Sequence, residues 1–181
     1  IFSFRRAYQD LEERAQQIQR QQKVYMEEFY SFMRILEIYD RIAINKNKEV
    51  KLTPWGELTS HIRSRNDLLI SLVIELFDFT ELSPVDIAVI FSTLVFEPRK
   101  SQRTHLNACS KEVRKRFKQI YLIADQLAYL QAEEGINVNV EVELEFAPVV
   151  SLWGNGCRWH NLFKFTDMAD GDIVRSMRQL I

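Results

Sequence analysis

Glycine and proline are scarce, five and four among 181 residues, where average usages of about 7% and 5% would give roughly twenty together. Few turns can demand special backbone angles, and the composition is that of a helical chain. Cys109 and Cys157 are the two cysteines, too few for a disulfide framework, so a reducing, intracellular compartment is expected, the cytoplasm first. No apolar run reaches the roughly 18 residues of a membrane span, so no membrane partner is expected. No glycine-rich phosphate loop, Gly-x-Ser-x-Gly elbow or HExxH pair is present, and no catalytic residue is assigned. Charge of one sign is lacking too: 24 basic and 25 acidic side chains give a net charge of -1, which excludes a uniformly basic nucleic-acid binder and leaves local patches open. Ile1 to Phe4, followed by Arg5-Arg6, lacks the apolar core of a secretory signal. The last residues, Leu180-Ile181, stand inside a helical pattern, so a piece of a larger protein is expected.

Hydrophobic residues make up 46% of the chain, enough for one buried core with an arm. Apolar positions at Tyr8, Leu11, Ala15, Ile18, Tyr25, Phe29, Phe32, Leu36 and Tyr39 alternate steps of three and four with only Gln22 breaking the set, the period of a helix with a heptad stripe. This predicts an arm over residues 1–23 and a bundle over 24–181. Its first helix runs to about Ile42, packed antiparallel on its neighbours rather than dimerised, and the QQIQRQQK tract at 16–23 is the one place for a bend. Pro54 and Gly56 predict an extended turn, with Gly56 at a special backbone angle. A helix follows from Asp67 to about Phe79. Ser83-Pro84-Val85-Asp86 supplies a hydroxyl N-cap, a proline at the first helical position and a first-turn carboxylate before a helix ending at Phe96.

A long helix from about Ala108 to Glu134 stops at Gly135, which suits the left-handed residue after a helix end. Residues 136–146 alternate apolar with Asn or Glu, a strand by period that has no evident partner strand. Short helices follow Pro148 and Cys157, and a last one starts near Asp170-Gly171-Asp172. The fold class is all-α: a helical bundle with a long N-terminal helix and at most a short extended hairpin near residues 44–62 or 136–142.

His105, Cys109, Cys157 and His160 have the ligand types of a tetrahedral zinc site, but nothing in the sequence brings the two pairs together, so no metal is assigned. Charge is more informative. Arg99, Lys100, Arg103, Lys111, Arg114, Lys115, Arg116 and Lys118 have a single acid, Glu112, among them, whereas residues 131–145 carry five glutamates and no base. The basic run either follows a nucleic-acid backbone or forms a solvated face. On the last helix Arg175 and Arg178, three apart, share a face and either touch a passing strand or make surface salt bridges.

Residues 62–97 and 149–181 together resemble the DSHCT domain, the C-terminal helical domain of superkiller-type DExH-box RNA helicases. The matching motifs are Asn66-Asp67 before a Leu-rich helix, Leu82-Ser83-Pro84, Val95-Phe96, the Trp153 to Gly156 turn, and Thr166, Gly171, Ile173 and Arg175. The resemblance spans about residues 25–181. It implies an accessory bundle packed on the motor domains of the same chain and guiding single-stranded RNA by a ratchet-like helix, with Arg175 and Asp67 in the family's RNA-facing positions. It also implies that ATP and magnesium belong to the parent helicase, with no cofactor in this piece. Residues 1–23 would be the end of an inserted arm. The expected RNA-binding set is Arg175, Arg178, Asp67, Arg99, Lys100, Arg103, Lys111, Arg114, Lys115 and Lys118. Docking of a nuclease or another RNA-degradation partner is the alternative. Leu72 and Asn66 depart from the family's usual Glu and Asp.

Overall fold

A computed structural model describes residues 2–97 and 105–180, with side chains from residue 11 onward. The described residues are all-α apart from one two-stranded antiparallel hairpin. Arg99, Lys100 and Arg103 lie outside them. Two compact units divide the chain, Ile1–Gly56 with Leu130–Asn137, and Glu57–Tyr129 with Val138–Ile181.

In the first unit α1 (Phe2–Ile38) runs unbroken through the glutamine-rich tract. Asp40, at φ 52°, ends it. The strands β1 (Ile42–Ile44) and β2 (Val50–Leu52) then pair with Ile42 opposite Leu52. Asn45 holds the connecting loop by accepting from the Asn47 and Glu49 amides. Among the described side chains of α1, Ser31 and Ile35 are buried, and Arg34 donates from Nε to Glu134 Oε2 at 2.7 Å.

The apolar stripe is not packed as the heptad pattern predicts: Leu11, Ile18, Tyr25 and Phe29 are all exposed. Among the described residues, β1 and Glu134 meet α1, a helix of 37 residues about 55 Å long at the usual rise, near its C-terminal end. The expected extended turn at Gly56 is instead the first turn of α2 (Pro54–His61), with proline at its start. Gly56 has no special backbone angle. A Cβ there would lie 1.8 Å from the Arg41 carbonyl oxygen, so close approach of two backbones excludes every larger residue.

The second unit centres on α4 (Pro84–Val95), against which α3 (Asp67–Leu76), α6 (Ala147–Gly154) and α8 (Asp170–Gln179) pack. Ser83 caps α4 as its sequence predicts, accepting from the Asp86 amide. Asp86 also accepts from the Ser83 and Ser110 hydroxyls at 2.8 and 3.0 Å, and Ser110 in turn accepts from the Val113 amide. One carboxylate thereby fastens the start of α5 (Lys111–Glu133) to the start of α4. Along α5, Val113, Phe117, Ile120, Ala124 and Leu127 are buried at helical spacing. Gly135, at φ 71°, follows its end.

Gly154 seats α6 on α4, because a Cβ there would stand 2.7 Å from Val85 Cγ1. Stacked Phe96 and Phe146 rings, 5.2 Å apart, close the core beside it. Residues 138–146 form no strand. They lie as an extended strap whose Val142 and Phe146 point inward. Alternating burial needs only helices beneath it, and one strap amide finds a helix end instead of a partner strand, while the Glu141 amide donates to Asn139 Oδ1. Glu143 N donates to Thr93 O at 2.9 Å, one of the last-turn carbonyls that an α-helix leaves unpaired.

Candidate nucleic-acid interface

The last helix is built to hold its arginines on a fixed stem. Thr166 Oγ1, itself buried, accepts from the Met168 amide and shapes the entry to α8. Asp170 and Asp172 occupy the first turn and Arg178 the last, each sign at the helix end whose partial charge favours it. Ile173 is fully buried and Ser176 nearly so, so the side turned from the core carries Arg175 and Arg178. Nothing approaches Gly171, and no contact explains a glycine there. Arg178 is exposed and Arg175 half-buried. The Arg175 Nε–H is buried with no hydrogen-bond partner among the described residues.

Asp67 accepts from the Ser64 amide at 2.8 Å, and Asn66 Oδ1 caps α3 through Leu69 N. The Asn66 amide also donates to Asn139 O at 3.1 Å, which an aspartate could not do. Leu72 is buried in the core, where a carboxylate would lie unpaired. Both departures from the family pattern therefore serve packing in this chain. The structure brings Asp67 together with Arg63, Arg65, Glu97 and Gln179 of α8 around a groove of about 490 Å³. Arg175 and Arg178 are not among its lining residues. Arg63 and Arg65 were not singled out by the sequence, since their groove partners are distant along the chain. Arg65 reaches Glu97 at 3.5 Å and Glu141 at 3.6 Å.

On α5 the expected cations do converge. Lys111, Arg114, Lys115 and Lys118 line one shallow concavity of about 340 Å³. Glu112 takes part of this charge, pairing with Lys115 at 3.1 Å and Arg116 at 3.7 Å. Arg116 also stands 5.3 Å over the Phe77 ring, which holds it against the core. The Arg114 Nε–H is buried without a partner among the described residues.

The acidic strap has the opposite character. Desolvation, then the Glu145 charge and a hydrogen bond with Glu145, push the Glu143 carboxyl above the ordinary range, with Arg65 opposing. Cys109 is buried, and desolvation raises its thiol to about 11, as an inert structural cysteine would be. His105 packs against Phe165 rather than toward a metal centre. Among the described residues no group of three or more His, Cys, Asp or Glu could hold a metal ion, and no helix is long and apolar enough to cross a membrane.

Residues 49–181 match the model of the DSHCT (NUC185) domain. A chloroplastic DExH-box ATP-dependent RNA helicase of Arabidopsis thaliana is 26% identical over 155 residues, covering 83% of this chain and 13% of the helicase. The exosome RNA helicase MTR4 of Homo sapiens is 27% identical over 130 residues, covering 69% of this chain and 12% of that protein. A helicase of Schizosaccharomyces pombe is 30% identical over 134 residues, covering 69% and 12%. The chain spans about an eighth of the length of these curated relatives.

Proposed function

The chain belongs to the DSHCT (NUC185) domain family, and from that premise we propose that it is the accessory C-terminal domain of an ATP-dependent RNA helicase. In this reading it packs on the motor domains of its parent and guides single-stranded RNA along α8, without sequence preference. Residues 24–181 form the guiding bundle and residues 1–23 the end of an arm. The observation that carries the reading is Arg175: a half-buried guanidinium held on a helix anchored by Ile173. Phosphate oxygens are the acceptors such a fork suits. Arg178 extends the same face. Lys111, Arg114, Lys115 and Lys118 add a second cationic surface, and Arg99, Lys100 and Arg103 join the proposed RNA-binding set from the sequence alone. Asp67 acts through the groove at the end of α8.

The residues present do not fit ATP or magnesium: the chain has no phosphate-cradling loop, and no metal-holding cluster occurs among the described residues. Both would be held by the parent's motor domains, and the setting would be intracellular. The second reading, docking of a nuclease or another RNA-degradation partner, is favoured by the juxtaposition in one unit of the lysine-rich face and the acidic strap, and by a relative named as an exosome helicase.

Fluorescence anisotropy of labelled single-stranded RNA with the chain at two salt concentrations separates the readings. If three to five phosphates are neutralised, log affinity falls against log salt with a slope of about -2 to -3.5. Affinity that ignores salt contradicts phosphate guidance and favours docking.

A further inference from the structure

The stretch from Phe146 to Thr166 contains no acidic residue, yet carries Arg158, His160 and Lys164 among Trp153, Trp159, Phe163 and Phe165. Within it the single-turn α7 (Trp159–Leu162) is pinned by Leu162, which is fully buried. In and beside the turn, Arg158, Trp159, His160, Lys164 and Phe165 are exposed, while Asn161 and Phe163 are half-buried. Trp159 meets Phe163 edge-on, with ring centroids 5.9 Å apart and planes at 79°. Phe165 meets His105 in the same manner, at 6.4 Å and 86°. Trp159 and Phe165 keep 37% and 36% of their surface exposed, and a perpendicular neighbour covers at most one face of a ring, so part of the indole and part of the phenyl ring stay accessible. Core aromatics in this unit behave differently, stacking face to face out of water, as Phe96 and Phe146 do.

We propose that Trp159 and Phe165 form a stacking platform for the unpaired bases of single-stranded RNA, with Arg158 and Lys164 beside it to meet the backbone. Accessible aromatic rings interleaved with cations suit a polyanion whose bases are flat and splayed; an apolar protein anchor would draw nothing from the cations. The residues of this site are distinct from the α8 arginines and the α5 lysines. It rests on the RNA-guiding reading and adds to it a salt-insensitive contribution, because stacking releases no counterions.

The test uses the whole chain and a labelled oligouridylate of about 12 nucleotides. Trp159→Ala should weaken binding about 5- to 150-fold, the range that one base–aromatic stack supplies, while the slope of log affinity against log salt stays unchanged. Arg175→Ala should do the converse and lower that slope. Because loss of the indole could disturb the turn, Trp159→Phe supplies a second readout. Saturating RNA should quench the tryptophan emission of the parent chain, and most of that quenching should vanish in Trp159→Phe although RNA still binds. Unchanged affinity in Trp159→Ala, or full quenching in Trp159→Phe, overturns the platform and leaves phosphate guidance standing. No salt-dependent binding by the chain overturns both.

Discussion

The cationic faces of α5 and α8 differ in how their charge is held. On α5, Lys111, Lys115 and Lys118 stand exposed around a half-buried arginine, Arg114, and Glu112 shares part of their charge. On α8, Arg175 is half-buried on a stem fixed by Ile173 and Ser176. Flexible, solvated lysines create a field that attracts phosphate without fixing it. An arginine held partly out of water presents its fork in one direction, so α8 is suited to positioning a strand and α5 to recruiting one.

The stem is where the contrast breaks most easily. Ile173→Ala should cost about 2–5 kcal/mol of stability, read by denaturant unfolding, whereas Lys118→Ala should stay within about 0.5 kcal/mol. Equal losses would mean that α8 is no better anchored than a solvated face. Reversing charge with Arg114→Glu and Lys115→Glu should leave far-UV circular dichroism intact and reduce the salt slope of RNA binding by about 1.4, about 0.7 for each phosphate no longer neutralised. Unaltered binding would return the α5 face to solvent.

The smallest effect is expected on the acidic strap. Burial and Glu145 raise the Glu143 carboxyl above its unfolded value, so the folded chain holds that proton more tightly. Stability therefore falls as pH rises from the ordinary carboxylate range through the raised one, and above it the charged group is a net cost. Glu143→Gln should raise the unfolding midpoint at pH 7 and change it little below the carboxylate range. A shift of equal size at both pH values would assign the effect to packing rather than charge.

Much of the fold is legible where a local rule has one solution. Ser83-Pro84-Asp86 starts a helix wherever it stands beside an apolar run, and Gly135 ends one. Three elements are not legible, each for a tertiary reason. Pro54 and Gly56 read as breakers, yet together they begin α2, because the proline needs no donor at the first position and the glycine lets the Arg41 carbonyl in. Residues 138–146 have a strand's period without a strand's partner, since α4 and α5 bury their alternate side chains. The stripe of α1 has a packed helix's period and is exposed, because periodicity states which face is apolar and not what covers it.

The candidate site divides along the same line. The common face of Lys111, Arg114, Lys115 and Lys118 follows from their spacing on one helix. The groove that joins Asp67 to Arg63 and Gln179 does not, because it is made by elements about a hundred residues apart. Burial of the Arg175 Nε is likewise a property of the assembled unit.

The most direct measurement compares strand unwinding with ATP hydrolysis in the proposed parent helicase carrying Arg175→Ala. If α8 positions RNA, unwinding should slow by a larger factor than RNA-stimulated hydrolysis, because the arginine meets the strand and not the nucleotide. Equal losses in both activities would contradict that role.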